Sequence, residues 1–131
     1  MAGLGDYPAA AVLRADDIAR AKKFYTDVLG LTPGDEGPGG EAMFRAGAGT
    51  ALLIYERPGM PAPQNTTLGF SIPADKFDDA VAALRANGAT FEEYDVPEIG
   101  LKTTNGVAEF EGMKAAWFKD SEGNIINLAV M

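Results

Sequence analysis

The sequence predicts an α+β fold of two tandem modules, each with the order strand, helix and three strands. This order occurs twice along the 131 residues. A segment with three prolines, within residues 57–66, separates the two copies, and prolines stiffen such a segment into an extended linker. A hairpin in each copy also aligns with the other, placing Gly49 over Gly123 and Leu53 over Asn127, both 74 positions apart. These observations indicate an internal duplication, with module one at residues 6–56 and module two at residues 67–131.

In module one, a capped helix follows the first strand. Asp16 or Asp17 can cap this helix, and Gly30 stands where helices commonly end. Apolar residues recur at helical spacing on one face, namely Ile18, Ala21, Phe24, Tyr25 and Val28. The strands predicted in this module are residues 9–13, 41–46 and 50–55, the last two forming a hairpin.

Module two repeats this order. We expect strands at residues 67–72, 89–94, 114–119 and 124–130, and a helix at residues 74–87 that ends before Gly88. Residues 95–112 show no clear periodicity and are predicted to be irregular. Long loops in compact domains are often functional.

Composition excludes several classes of function. The chain has no histidine and no cysteine, which rules out disulfides and Ser–His–Asp or Cys–His catalysis. A net charge of −8 argues against nucleic acid, whose binding needs clustered Lys and Arg. No apolar run is long enough to span a membrane, and the N-terminus lacks a signal-peptide pattern, so we expect a cytoplasmic protein.

Two motifs carry a resemblance to a known family. Residues 17–31, DIARAKKFYTDVLGL, resemble the first helix of the vicinal oxygen chelate superfamily, and residues 117–124, WFKDSEGN, resemble its last hairpin. That superfamily includes glyoxalase I, extradiol dioxygenases, fosfomycin-modifying enzymes and bleomycin-resistance proteins. The resemblance implies paired βαβββ modules whose sheets curl around a ligand cleft, and a homodimer.

The resemblance also locates the family's metal site. Metalloenzymes of the family hold a metal with up to four side chains, which correspond to Ala10, Leu53, Thr67 and Asn127. Zn, Ni, Fe and Mn sites require imidazole nitrogens or carboxylate oxygens. Ala and Leu side chains cannot coordinate a metal, and Thr and neutral Asn are weak ligands. We therefore predict no metal and no cofactor.

Strand alternation predicts which side chains face the cleft. Trp117 offers a broad surface for stacking on a flat ligand, and Tyr55 a hydroxyl donor, although either can be structural. Arg14 and Arg45 can bind an anionic group, or pair with Asp and Glu. The ligand-binding residues predicted on this basis are Trp117, Tyr55, Met43, Arg45, Arg14, Thr67, Asn127 and Leu53.

Two functions remain open. The first is a metal-free protein of the glyoxalase/bleomycin-resistance type that sequesters a drug-like or metabolite ligand. The alternative is a divergent glyoxalase- or dioxygenase-like enzyme of the same fold. The segment 92–111 is rich in acidic residues and can favour a cationic ligand or supply a general base such as Glu109 or Glu111. The expected partners are a small molecule and a second copy of the chain.

Overall fold

The computed structural model describes residues 3–130, which form two β-sheets and two α-helices. Module one contains β1 (Ala11–Ala15), α1 (Ile18–Asp27), β2 (Thr32–Pro33), β3 (Ala42–Arg45) and β4 (Ala51–Glu56). Module two contains β5 (Thr66–Ile72), α2 (Phe77–Ala86), β6 (Asp95–Val96), β7 (Leu101–Thr104), β8 (Val107–Phe110), β9 (Met113–Lys119) and β10 (Ile125–Val130). The predicted α+β fold is confirmed.

Each sheet begins with the first strand of its module and continues through the last. The order is β1-β4-β3-β2 in the first sheet and β5-β10-β9-β8-β7-β6 in the second. In both sheets the first two strands are parallel and the next pair is an antiparallel hairpin. The two hairpins also share one register, because Met43 pairs with Leu53 and Trp117 pairs with Asn127. The offset of 74 positions therefore aligns the structures as well as the sequences.

The first helix begins and ends where its sequence predicts, whereas the second begins later than predicted. Asp17 is the cap of α1, and its Oδ1 accepts a hydrogen bond from the Arg20 backbone N–H at 3.1 Å. The chain leaves this helix through Gly30, whose φ is +71°. The second helix begins at Phe77, because a 3₁₀ turn, Ala74–Lys76, occupies its expected start.

The region before β9 differs from its prediction. The strand expected at residues 89–94 is not formed: within this stretch only Phe91 pairs with another strand, in an isolated bridge to Phe118. The stretch expected to be irregular contains β6 and the β7–β8 hairpin. The turn of that hairpin is Asn105-Gly106, with φ of +53° and +81°. Asn-Gly is a strong hairpin signal because both residues tolerate positive φ, and it was present in the sequence.

One hydrophobic core lies between the two sheets. Phe24 and Tyr25 on α1 contact Phe118 of the second sheet and Phe44 of the first, at ring-centroid distances of 6.5 and 5.7 Å. Burial alternates as predicted in β3, β4 and β10, but not at the end of β1, where Leu13, Arg14 and Ala15 are all buried. Since the helix-facing sides of both sheets contribute to one core, their opposite faces point away from it.

None of the helices in residues 3–130 is long and apolar enough to cross a membrane.

Candidate functional site

The turn between β9 and β10 joins the two modules through its buried Asp120. Oδ2 of Asp120 accepts hydrogen bonds from the Tyr25 hydroxyl at 2.6 Å and the Asn124 side chain at 2.9 Å. Oδ1 accepts from the backbone N–H groups of Glu122 and Asn124, both at 2.8 Å. Burial and the Asp120 charge raise the pKa of Tyr25 well above its ordinary value, so its hydroxyl stays a donor. Asn124 in turn donates to the Arg14 carbonyl at 2.8 Å.

Glu122 makes the second connection between the modules. Its buried carboxylate accepts two hydrogen bonds from the Arg20 guanidinium, at 2.8 and 2.9 Å, and one from the Asp17 backbone N–H at 2.9 Å. Burial opposes ionisation of Glu122, but hydrogen bonds from Arg20, Ser121 and Asp17 outweigh it and lower the pKa of Glu122 to about 2. The motif 117–124 therefore stabilises the interface between the two modules.

Arg14, predicted to bind a ligand, belongs to this interface. Only 4% of the residue is exposed. Its guanidinium donates to the Glu122 carbonyl at 2.9 Å and pairs with Asp16 at 3.1 Å. These partners are within the protein, and Arg14 is not among the residues that line the cleft on module two.

A cleft of about 630 Å³ opens on the outer face of module two. It is lined by the start of β10, the end of β9, the segment before β7 and the end of the proline-rich linker. The residues that line it, which we call the Trp117 cleft, are Ala62, Pro63, Gln64, Asn65, Thr66, Glu92, Tyr94, Val96, Leu101, Trp117, Lys119, Gly123 and Ile125. Most of this lining is apolar or uncharged, as small-molecule sites commonly are.

Two aromatic rings form the centre of the cleft. Trp117 and Tyr94 meet edge to face, with ring centroids 5.6 Å apart and an interplanar angle of 74°. Burial, with the neighbouring Glu92 charge, raises the pKa of Tyr94, so the phenol remains a neutral hydrogen-bonding group. Tyr94 was not predicted as a site residue. Strand alternation along the predicted strand 89–94 could have indicated it. Phe91 packs in the core, and a residue three positions later in a strand points to the opposite face.

The charged groups of the cleft are Glu92 and Lys119, which pair at 3.5 Å. Glu92 is partly buried, and its backbone N–H donates to the Trp117 carbonyl at 2.8 Å. The other acidic residues of segment 92–111 are elsewhere. Glu109 lines a separate polar cleft, and Glu111 is exposed in a turn with φ of +51°.

Glu93 has a structural role beside the cleft. Its carboxylate accepts hydrogen bonds from the Thr103 hydroxyl at 2.8 Å and the Gly106 backbone N–H at 2.6 Å. These bonds lower the pKa of Glu93. Glu93 therefore holds the β7–β8 hairpin against the rest of module two.

The other four predicted residues of module one lie on the outer face of the first sheet, away from the Trp117 cleft. Met43, which is 42% exposed, pairs with Leu53, and Tyr55 and Arg45 follow on the same two strands. None of the four lines the Trp117 cleft. Within one chain, the structure thus brings Trp117 together with Tyr94 rather than with Tyr55.

Thr67 and Asn127 lie in the second sheet next to the cleft lining. The Thr67 hydroxyl donates to the Ile125 carbonyl at 3.2 Å, and the Asn127 side chain donates to the Leu128 carbonyl at 3.3 Å. Gly69 is the neighbour of Asn127 on β5, and a Cβ added there would lie 2.9 Å from Asn127 Oδ1. The missing side chain at Gly69 leaves space for the Asn127 amide.

The side chains at the family's metal positions do not fit a metal. Sheet register places Val12 beside Leu53 and Gly69 beside Asn127, each two residues from the positions predicted by resemblance. Neither assignment supplies a carboxylate, and the chain has no imidazole or thiolate. Among residues 3–130, no three acidic side chains converge. This donor set does not match the requirements of a transition-metal site.

The sequence matches the Glyoxalase/Bleomycin resistance protein/Dioxygenase superfamily over residues 8–128. The chain belongs to this superfamily. A comparison with curated proteins gave no match.

Solved structures of similar fold carry several different functions. The fosfomycin resistance protein FosX from Listeria monocytogenes is 15% identical, with a TM-score of 0.68 over 96% of this chain and 91% of its own. Lactoylglutathione lyase from Agrobacterium tumefaciens is 19% identical, with a TM-score of 0.65 over 95% and 93%. The oxidase ChaP-H2 is 20% identical, with a TM-score of 0.70 over 97% and 94%. At these identities the likeness shows the superfamily fold alone.

Proposed function

We propose that this superfamily member is a metal-free protein that binds and sequesters a drug-like or metabolite molecule in the Trp117 cleft. The observation that carries the proposal is the Trp117–Tyr94 pair, which faces an open cleft of about 630 Å³. A volume of this size accommodates a drug-sized molecule, and aromatic walls favour a flat one. The donor set at the family's metal positions, described above, favours binding over metal-assisted chemistry.

Replacing Trp117 with alanine is expected to abolish ligand binding, because it removes the largest apolar surface of the cleft. A thermal-shift screen of drug-like and metabolite compounds identifies the ligand. A compound at 100 times its dissociation constant adds about 2.7 kcal/mol of stability, which raises the melting temperature by several degrees. We expect this shift to disappear in Trp117→Ala.

Phe110→Ala is the matched control for Trp117→Ala. It also truncates an aromatic residue of module two, but Phe110 is 71% exposed and lies outside the cleft. The ligand-induced shift should persist in this control. Equal shifts in Trp117→Ala and wild type would contradict the site. One equivalent of Zn, Ni, Fe or Mn in protein purified without a histidine tag would contradict metal-free binding and favour the enzyme alternative.

We also propose that two copies of the chain form a homodimer through the outer face of module one. A row of apolar side chains crosses this face, from Val12 on β1 through Leu53 to Met43. Val12 is 59% exposed and Met43 is 42% exposed in the single chain. A second copy packed on this face would cover this row and remove Val12 and Met43 from water.

A charge in this row is expected to prevent dimer formation. We expect a mass near twice 13.7 kDa for the wild type in light scattering, and the single-chain mass for Val12→Asp. Burying an unpaired carboxylate in an apolar interface costs several kcal/mol, which is enough to dissociate it. Phe110→Asp adds the same charge at another exposed apolar residue and should leave the dimer intact. A dimer that survives Val12→Asp but not Phe110→Asp would place the interface at the β8–β9 turn instead.

A further inference from the structure

The end of the proline-rich linker forms a wall of the Trp117 cleft. Residues 62–65 line the cleft, although residues 61–65 form neither helix nor strand. Pro61 and Pro63 fix their own φ angles and favour an extended main chain around them. Because no helix or strand pairing holds this stiff segment, its position depends on the surface against which it packs.

The segment packs against Gly123. This residue has a φ of +86°, and a Cβ added to it would lie 3.1 Å from the Ala62 Cβ. Gly49, its counterpart in the repeat, has a φ of +75° but no atom within 4 Å of an added Cβ. Both turns favour glycine for backbone reasons. Of the two turns, only the one at Gly123 would also crowd the linker if it carried a side chain.

The polar groups of the cleft favour a neutral ligand. Glu92 and Lys119 pair with each other, so the lining carries no net charge. A charged ligand would therefore meet one like and one opposite charge, so the lining offers it no net electrostatic attraction. The net charge of −8 also opposes the approach of an anion.

The linker supplies uncharged hydrogen-bonding groups to the same cleft as the aromatic rings. The Gln64 side chain is exposed, and it carries two donor hydrogens and a carbonyl acceptor. The Asn65 side chain donates to the Thr66 carbonyl at 3.2 Å, which leaves its own oxygen as an acceptor. A flat ligand stacked on Trp117 would present its edge to these amides.

We propose that the Trp117 cleft selects a neutral, planar aromatic ligand with an amide or lactam group on its edge. The linker segment 61–65 is the wall that recognises this edge, and Gly123 sets the position of the wall. This inference rests on the proposed binding function and names the class of ligand.

The position of the wall can be measured without a ligand. Trp117 is the one tryptophan of the chain, so the access of a quencher to its fluorescence reports how closely the linker covers the cleft. Gly123→Asn adds a side chain under Ala62, and Asn tolerates positive φ better than most residues. We expect acrylamide to quench Trp117 fluorescence at least twofold more efficiently in this variant. Gly49→Asn places the same residue at a similar φ in open space and should quench as wild type. Ala62→Leu crowds the same contact from the linker side. It should also increase the quenching of Trp117, and it replaces Gly123→Asn if that variant fails to fold.

The ligand class can be tested with indole probes of different charge, using ligand-observed NMR. Indole-3-carboxamide is neutral with an amide, 3-methylindole lacks the amide, tryptamine is a cation and indole-3-acetate is an anion. We expect the wild type to bind the carboxamide at least fivefold more tightly than the other three. Gln64→Met keeps the length of the side chain without its amide, and should reduce the preference over 3-methylindole by about fivefold.

The outcomes separate this inference from the proposed function. Tightest binding of tryptamine or indole-3-acetate, or an unchanged preference in Gln64→Met, overturns the ligand class while binding in the cleft stands. No binding of any probe, with a screen that also yields no ligand, overturns the proposed function. Equal quenching in wild type, Gly123→Asn and Ala62→Leu overturns the role of Gly123, whatever the ligand.

Discussion

Asp120→Ala is expected to destabilise the protein by about 3–5 kcal/mol, because several buried donors lose their acceptor together. Asp120 is 6% exposed, and it accepts hydrogen bonds from Tyr25, Glu122 and two nitrogens of Asn124. A buried donor without a partner costs about 1–3 kcal/mol, and partial relaxation reduces the sum. Urea denaturation should show the loss directly, and the melting temperature should fall by roughly 10–20 °C.

The control for this substitution is Asp35→Ala, at an exposed position in the loop after β2. A surface change of this kind is expected to alter stability by no more than about 0.5 kcal/mol. Tyr25→Phe removes one of the hydrogen bonds to Asp120 and should fall between the two variants. Similar stabilities of Asp120→Ala and Asp35→Ala would show that the turn does not hold the modules together.

Glu122 is expected to make stability strongly dependent on pH in the acid range. Its pKa in the folded protein is about 2, below the ordinary value of 4.5. A carboxyl whose pKa is depressed by folding stabilises the protein above its unfolded pKa, and this stabilisation is lost as pH falls through the folded pKa. The shift corresponds to about 2–3 kcal/mol after allowing for the solvent exposure of Arg20. That contribution should be complete above about pH 5.5 and should decline from pH 4.5 towards pH 2.

Glu122→Gln removes the titrating group while keeping its shape. The difference in unfolding free energy between wild type and variant should be largest at pH 7 and about half as large at pH 3, as measured by urea denaturation. Glu98→Gln, at an exposed glutamate, is the control and should show a small difference at both values. Parallel stability curves for wild type and Glu122→Gln would refute the linkage.

The sequence predicted the parts of the fold that depend on local patterns. Strand alternation assigned Ile126 and Leu128 to the core and Asn127 to the outer face, and the burial along β10 agrees. Asp17 was one of two predicted caps, and its side chain makes the capping bond. These predictions succeeded because helix and strand periods and capping are properties of a few neighbouring residues.

The prediction was weaker where contacts are distant in sequence. The motif 117–124 identified the family, but the sequence did not show that Asp120 and Glu122 bind Tyr25 and Arg20, about 100 residues away. The linker was predicted only as a connection, and its contact with Gly123 makes it a wall of the cleft. Such contacts follow from how the modules pack, which no short pattern encodes.

From the sequence, the resemblance of two motifs predicted the superfamily, which the family match over residues 8–128 confirms, and it placed Ala10, Leu53, Thr67 and Asn127 at the family's metal positions. The order and spacing of the predicted elements indicated the twofold repeat, and composition alone showed that the chain has no imidazole or thiolate. The tertiary structure decided which side chains share a cleft. The helix-facing sides of both sheets pack into one core, and on the outer face of module two Trp117 shares a cleft with Tyr94 and the linker instead of with Tyr55.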